Sequence, residues 1–137
     1  MKNNLVGGLE DRQVKYLGST HEGKKHDKKI CDEEGTKFPD SVELYRDSGF
    51  QGHELANVTV HQPKKKPRNG RLSDEDKAAN RLVSSIRIVI EHIISGIKRC
   101  RVVKDVFRNT KEGYDDVAIE LACSLHNYRS YCRNQSY

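Results

Sequence analysis

Apolar residues in the second half of the chain fall at helical spacing. Ala79, Leu82, Val83, Ile86, Ile90, Ile93, Ile94 and Ile97 recur at steps of three and four. That is the core stripe of an amphipathic helix, predicted from about residue 74 to 98–101. Ser73-Asp74-Glu75-Asp76 has the spacing of a capping box, and its acids suit a helix N-terminus. Gly96 is a weak but tolerated point inside this helix. A closing helix is predicted over about 115–131, with Val117, Ala118, Leu121, Ala122 and Leu125 on one face. The first half reads differently. Short alternating segments predict a hairpin of strands at about 4–8 and 13–19, with Asp11 at its tip. Further strands are predicted at about 42–46 and 58–61, with a short helix at about 27–34. The loop from Pro63 to Pro67 ends the last strand, because proline cannot donate to a ladder. The expected class is α/β, of the α+β type with a mixed sheet.

Length and composition narrow this picture. The 137 residues make one domain at most, with 34% hydrophobic residues, 7% aromatics and no Trp. Such a core is thin, so marginal stability or aggregation is expected of the isolated polypeptide. Four cysteines (Cys31, Cys100, Cys123, Cys132) contain no CxxC spacing, and the six histidines do not pair at metal spacing, so a zinc finger is excluded. His92 follows Glu91 but points roughly 100° away from it on a helix. No apolar run reaches membrane-spanning length and no signal peptide opens the chain. A cytoplasmic protein with no membrane partner is expected.

Charge points toward a polyanion. Lys and Arg total 25 against 20 Asp and Glu, a formal charge of +5. The distribution says more than the sum. Lys24, Lys25, Lys28 and Lys29 cluster; so do Lys64, Lys65, Lys66, Arg68 and Arg71; so do Lys98, Arg99, Arg101 and Lys104. Such runs neutralise backbone phosphates with strong salt dependence, although each alone also reads as a solvated loop or helix face. The Lys64–Lys66 run also has the composition of a nuclear-localisation patch.

Two carboxylates stand out within this basic background. Glu91 shares its helix face with Arg87, Ser95 and Lys98. Asp47 follows the predicted strand at 42–46 and precedes the Gly49/Gly52 turn, at the carboxyl end where open α/β sheets place functional groups. A turn-forming role explains Asp47 equally well when it is taken alone. A strand-end carboxylate and a helix carboxylate can share a divalent ion if the fold brings them together. Asp27, beside His26, is a lesser candidate, for which helix N-capping is a sufficient explanation.

Ordered blocks then carry a resemblance. Arg46-Asp47-Ser48-Gly49-Phe50-Gln51-Gly52, Lys64-Lys65-Lys66-Pro67-Arg68, Asn80-Arg81 and the run from Arg87 to Arg99 resemble, in order, the blocks of DDE-type insertion-sequence transposases. The nearest group is the DDE endonuclease branch that includes the Harbinger-like nucleases. Thr20 to Asp27 resembles the segment after that family's third strand. Val106-Phe107-Arg108-Asn109 and Leu125-His126-Asn127 resemble its closing blocks.

The resemblance implies an RNase H-like fold in which three acids converge on metal. Asp47 matches the second acid and Glu91 the third. The first acid has no match, because Met1 to Val6 resembles the later half of the second strand; an incomplete RNase H-like fold lacking its first strand is expected. Asp11, at a hairpin tip, and Asp27 are poor replacements. The implied chemistry is phosphodiester hydrolysis and strand transfer by two divalent ions, Mg²⁺ or Mn²⁺, roughly 4 Å apart. Asp47 and Glu91 would each hold one; Lys64, Lys65, Lys66, Arg68, Arg87, Lys98 and Arg99 would contact DNA. Without the bridging first acid, the chain alone is expected to be inactive. Two functions follow: part of a transposase whose amino-terminal portion is encoded separately, or a remnant that binds DNA or intact transposase without cleaving. The implied partners are DNA, both element ends and target, and a second transposase part or further copies of the chain.

Overall fold

The computed structural model describes residues 2–50, 52 and 54–136. Gln51, from the Asp47 block, and His53 lie outside the described residues. The chain divides into two units. One comprises the residues up to Lys25 together with those from Val89 onward; the other comprises His26–Ile88.

The terminal unit starts with an antiparallel hairpin of β1 (Leu5–Gly7) and β2 (Val14–Leu17), paired Leu5 with Leu17 and Val6 with Tyr16. Arg12 turns the tip with a positive φ of 56°. The hairpin packs on the end of one helix and the length of another. The core is Ile93, Ile97, Ile119, Ala122 and Cys123, with Leu5, Val14, Leu17, Val89 and Ile90 against it. Gly7 permits this approach. A Cβ there would stand 2.6 Å from Ile93 Cδ1 and 2.8 Å from Ile90 Cδ1.

The other unit holds α1 (Asp27–Glu34), β3 (Val42–Tyr45), a short 3₁₀ turn (Ser48–Phe50) and β4 (Val58–His61). Strands β3 and β4 are parallel, with Val42 opposite Val58 and Tyr45 opposite His61. A parallel pair needs a crossover of about a dozen residues, and the segment between the two strands supplies it. Helix α1 begins after His26, so Asp27 is its first residue rather than its cap, and Gly35 closes it in the left-handed region. Ile30 is fully buried.

Helix α2 (Asp74–Ile97) contributes residues up to Ile88 to this second unit and the remainder to the terminal unit. Its start is capped as expected: the Asp76 amide donates to Ser73 Oγ at 3.1 Å. A short α3 (Arg101–Lys104) and the long α4 (Tyr114–Gln135) complete the chain. The result is a mixed α/β chain of the α+β kind, with its described strands in two two-stranded sheets.

Two faces differ from the periodicity reading. Only Ile93 and Ile97 of the α2 stripe are buried. Ala79, Leu82 and Val83 instead border an open hollow of about 570 Å³. On α4 the structure turns Ile119, Ala122, Cys123, His126 and Ser130 inward and leaves Val117, Leu121 and Leu125 exposed. The reason is hydrogen bonding. Asn127 clasps Val14 on the edge of β2, its Oδ1 accepting the Val14 amide at 2.7 Å and its amide donating to the Val14 carbonyl at 2.9 Å. An exposed strand edge is thereby satisfied by a side chain. Among the described residues no helix is long and apolar enough to cross a membrane.

Candidate active site and nucleic-acid interface

Asp47 lies two residues beyond the carboxyl end of β3, in the crossover of the parallel pair. The ladder runs up to it: the Arg46 amide donates to the His61 carbonyl at 3.0 Å, and the Arg46 side chain donates to Gln62 Oε1 at 3.0 Å. The next residue therefore leaves a fixed strand end. Its carboxylate accepts the Ser48 amide on Oδ1 at 2.7 Å, the geometry of an Asx-type turn. Oδ2 lies 3.3 Å from Arg87 Nη1, and both side chains are about half exposed. An ion pair this wet contributes about 0.2–1 kcal/mol. The pair is weak enough for Asp47 to exchange it for another cation.

The start of α1 lies against the same turn. A Cβ on Gly49 would be 3.6 Å from Asp27 Oδ2, and one on Gly52 would be 3.3 Å from Lys28 Nζ. The structure therefore brings Asp27, Asp47 and Arg87 into one neighbourhood of the second unit. Glu91, Lys98 and Arg99 belong to the terminal unit. Glu91 is exposed on α2.

The basic loop is also built, rather than merely charged. Asn80 on α2 accepts the Lys64 amide at 2.9 Å and donates to the Lys64 carbonyl at 3.1 Å. That two-point clasp fixes the loop's entry on the helix. Lys64 Nζ donates to Asp76 Oδ1 at 2.7 Å. The hydrogen bond from Lys64 holds the Asp76 carboxyl below the usual carboxylate range and raises the Lys64 ammonium in turn. Lys65, Lys66 and Arg68 follow, all exposed. Tyr45 stacks on His61, ring centroids 4.6 Å apart, at the wall of the hollow beside Lys64 and Lys65. An aromatic face next to a cationic loop is what a nucleic-acid surface uses.

Asp47 and Glu91 offer hard oxygen ligands of the kind that Mg²⁺ takes, and Mg²⁺ is often held by one or two carboxylates plus water and phosphate. Among the described residues no three His, Cys, Asp or Glu side chains group to hold an ion. The donor chemistry fits a divalent ion, while a complete protein cage does not form from these residues. Arg12, Arg129 and Arg133, which no sequence block singles out, gather with Arg99 around one hollow of the terminal unit. The four-residue spacing of Arg129 and Arg133 was the available signal for two of them.

The family described as DDE superfamily endonuclease matches residues 3–127. A curated relative, the "Probable transposase for insertion sequence element IS702" of Microchaete diplosiphon, is 28% identical over 128 residues. That alignment covers 93% of this chain and 46% of the relative, so the chain spans about half the length of the protein it matches. No solved structure matches the chain.

Proposed function

The chain belongs to the DDE superfamily endonuclease family, and from that premise we propose that it is part of a metal-dependent transposase domain, acting on DNA by phosphodiester cleavage and strand transfer. The observation that carries this reading is the family match across residues 3–127, which spans both Asp47, at the carboxyl end of a parallel strand, and Glu91. The fold proposed is RNase H-like.

In this reading Asp47 and Glu91 each hold a divalent ion, Mg²⁺ or Mn²⁺; when bound, such ions polarise the scissile phosphate and activate the attacking oxygen. The chain's own contribution is positioning. The Ser48 amide fixes one oxygen of Asp47 and leaves the other to exchange Arg87 for a cation. Arg87, released from Asp47, is then within reach of a phosphate. Asp27, against the Gly49 turn, is a lesser candidate for lining the site. Lys64, Lys65, Lys66 and Arg68, set on α2 by Asn80, take backbone phosphates; Lys98 and Arg99 do the same from the terminal unit.

The proposed set draws two acids, Asp47 and Glu91, from these residues, and positioning supplies much of the rate in this type of reaction. These residues alone are therefore proposed to bind DNA without cleaving it. In a polypeptide that also supplies the first acid, Glu91→Gln is expected to abolish Mg²⁺-dependent cleavage while DNA binding persists. Cleavage retained in that variant would reject the role given to Glu91.

A further inference from the structure

The terminal unit carries a cationic feature that joins Arg99 to three arginines outside the sequence blocks. Arg12 at the hairpin tip, Arg99 after α2, and Arg129 and Arg133 one turn apart on α4 line a hollow of about 270 Å³. Among the described residues no carboxylate lines it. Its floor is buried and polar: His126 is 8% exposed and Ser130 6%. Four arginines bordering one hollow with no carboxylate among its lining residues make a local positive potential that favours an anion.

The hollow is assembled by specific contacts. His126 Nε2 donates to the Arg12 carbonyl at 2.9 Å, which draws the hairpin tip onto α4. The ring fits because residue 96 is glycine, whose missing Cβ would overlap it. Arg129 donates one N–H to the Gly96 carbonyl at 3.0 Å. A guanidinium has five N–H donors, so most of its fork stays available.

We propose that this hollow seats a backbone phosphate of a DNA strand, a site additional to the Lys64–Arg68 loop; the proposal rests on the DNA-binding reading above. Guanidinium forks match phosphate oxygens in pairs, with both charge and geometry. The rim arginines Arg12, Arg99 and Arg133 are exposed, and the chain runs on from Arg99 into Arg101 and Lys104 of α3. An exposed rim, followed along the chain by further cations, suits a polymer rather than an enclosed small anion.

The test is fluorescence anisotropy of the full chain with a short labelled duplex, in EDTA so that metal plays no part, over a range of salt. The double variant Arg12→Gln/Arg133→Gln is compared with the wild type after circular dichroism shows the same fold. Each phosphate that the variant leaves unneutralised should flatten the slope of log K against log salt by about 0.9, so for the one phosphate seated here a flattening of about 0.9 is expected, with weaker binding at low salt. Arg99→Gln, at an exposed position, is an independent second variant should the double substitution unfold. Arg133→Lys should fall between, because it keeps the charge and loses the fork. Unchanged affinity and slope in the folded variants would overturn the proposal. So would calorimetry in which inorganic phosphate binds the wild type but not the double variant while duplex binding is equal, since the hollow would then serve a free anion. A wild-type chain that binds no duplex would instead refute the DNA-binding reading on which the proposal rests.

Discussion

Replacing Gly96 with alanine drives a methyl group into the ring of His126. The new carbon would overlap Nδ1 and stand 2.7 Å from Cε1, whereas carbon atoms pack comfortably at about 3.5–4.0 Å. Neither side yields easily. Gly96 lies inside α2 with its carbonyl bonded to Arg129, and His126 is buried and bonded to the Arg12 carbonyl at 2.9 Å. Overpacking costs about 1–3 kcal/mol. If the ring swings away instead, loss of its hydrogen bond costs about 0.5–1.5 kcal/mol. Against this, alanine gains about 1 kcal/mol of helix propensity over glycine. Because the overlap is severe and both partners are held, the packing cost falls in the upper part of its range, about 2–3 kcal/mol, and the expected net is a loss of about 1–2 kcal/mol. Urea unfolding followed by circular dichroism measures it directly, and a thermal melt should fall by about 3–6 °C for each kcal/mol in a chain of this size. The sign decides. At an unencumbered helix position the same substitution would stabilise, so unchanged or raised stability would refute the packing argument. Gly7→Ala is the comparison. Its new methyl would meet only the Cδ1 ends of Ile93 and Ile90, at 2.6 and 2.8 Å, which rotate aside more cheaply, and its loss should be smaller.

Asn80→Ala removes both hydrogen bonds that clasp Lys64; a loss of about 1–2 kcal/mol is expected, with faster hydrogen exchange at the Lys64 amide, and unchanged exchange would count against the clasp. The Lys64–Asp76 pair gives a pH dependence whose sign follows from its two shifts. Asp76 is lowered, so its contribution is complete above the ordinary carboxylate value of 3.8 and fades as pH falls through the lowered value. Lys64 is raised, so its contribution is complete below 10.5 and fades only as pH rises past the raised value. The stability difference between wild type and Asp76→Asn should therefore be flat near neutrality and shrink at the acid end; a difference that grows on acidification would reverse the assignment.

Local patterns were enough for local structure. Helix α1, strand β4 and the Ser73 cap of α2 lie where spacing and capping chemistry put them, because each depends on residues a few positions apart. The parallel pairing of β3 with β4 was not legible, since strand register depends on the partner. Nor was the inward face of α4. Periodicity scores apolar surface and chose Val117, Ala118, Leu121, Ala122 and Leu125, of which Ala122 is buried, but His126 and Asn127 turn the helix so that they can reach Arg12 and Val14 on the hairpin. Gly96 looked like a weak point in a helix and proved to be the space that His126 fills. For the candidate site, Asp47 and Glu91 came from the order of the blocks, since either alone reads as a turn-former or a surface acid. The arginine hollow joins Arg12, near one end of the sequence, to Arg129 and Arg133 near the other, a juxtaposition that only the folded chain displays.

The central claim is that Asp47 and Glu91 are the carboxylates that hold divalent metal. A Mn²⁺ titration of the full chain, reading side-chain carboxyl signals by carbon-detected NMR, tests it without requiring cleavage. The Asp47 and Glu91 signals are expected to broaden first, and excess Mg²⁺ is expected to restore them. Broadening that begins at other carboxylates, such as Asp74 and Glu75 at the start of α2, with Asp47 and Glu91 unaffected, would contradict it.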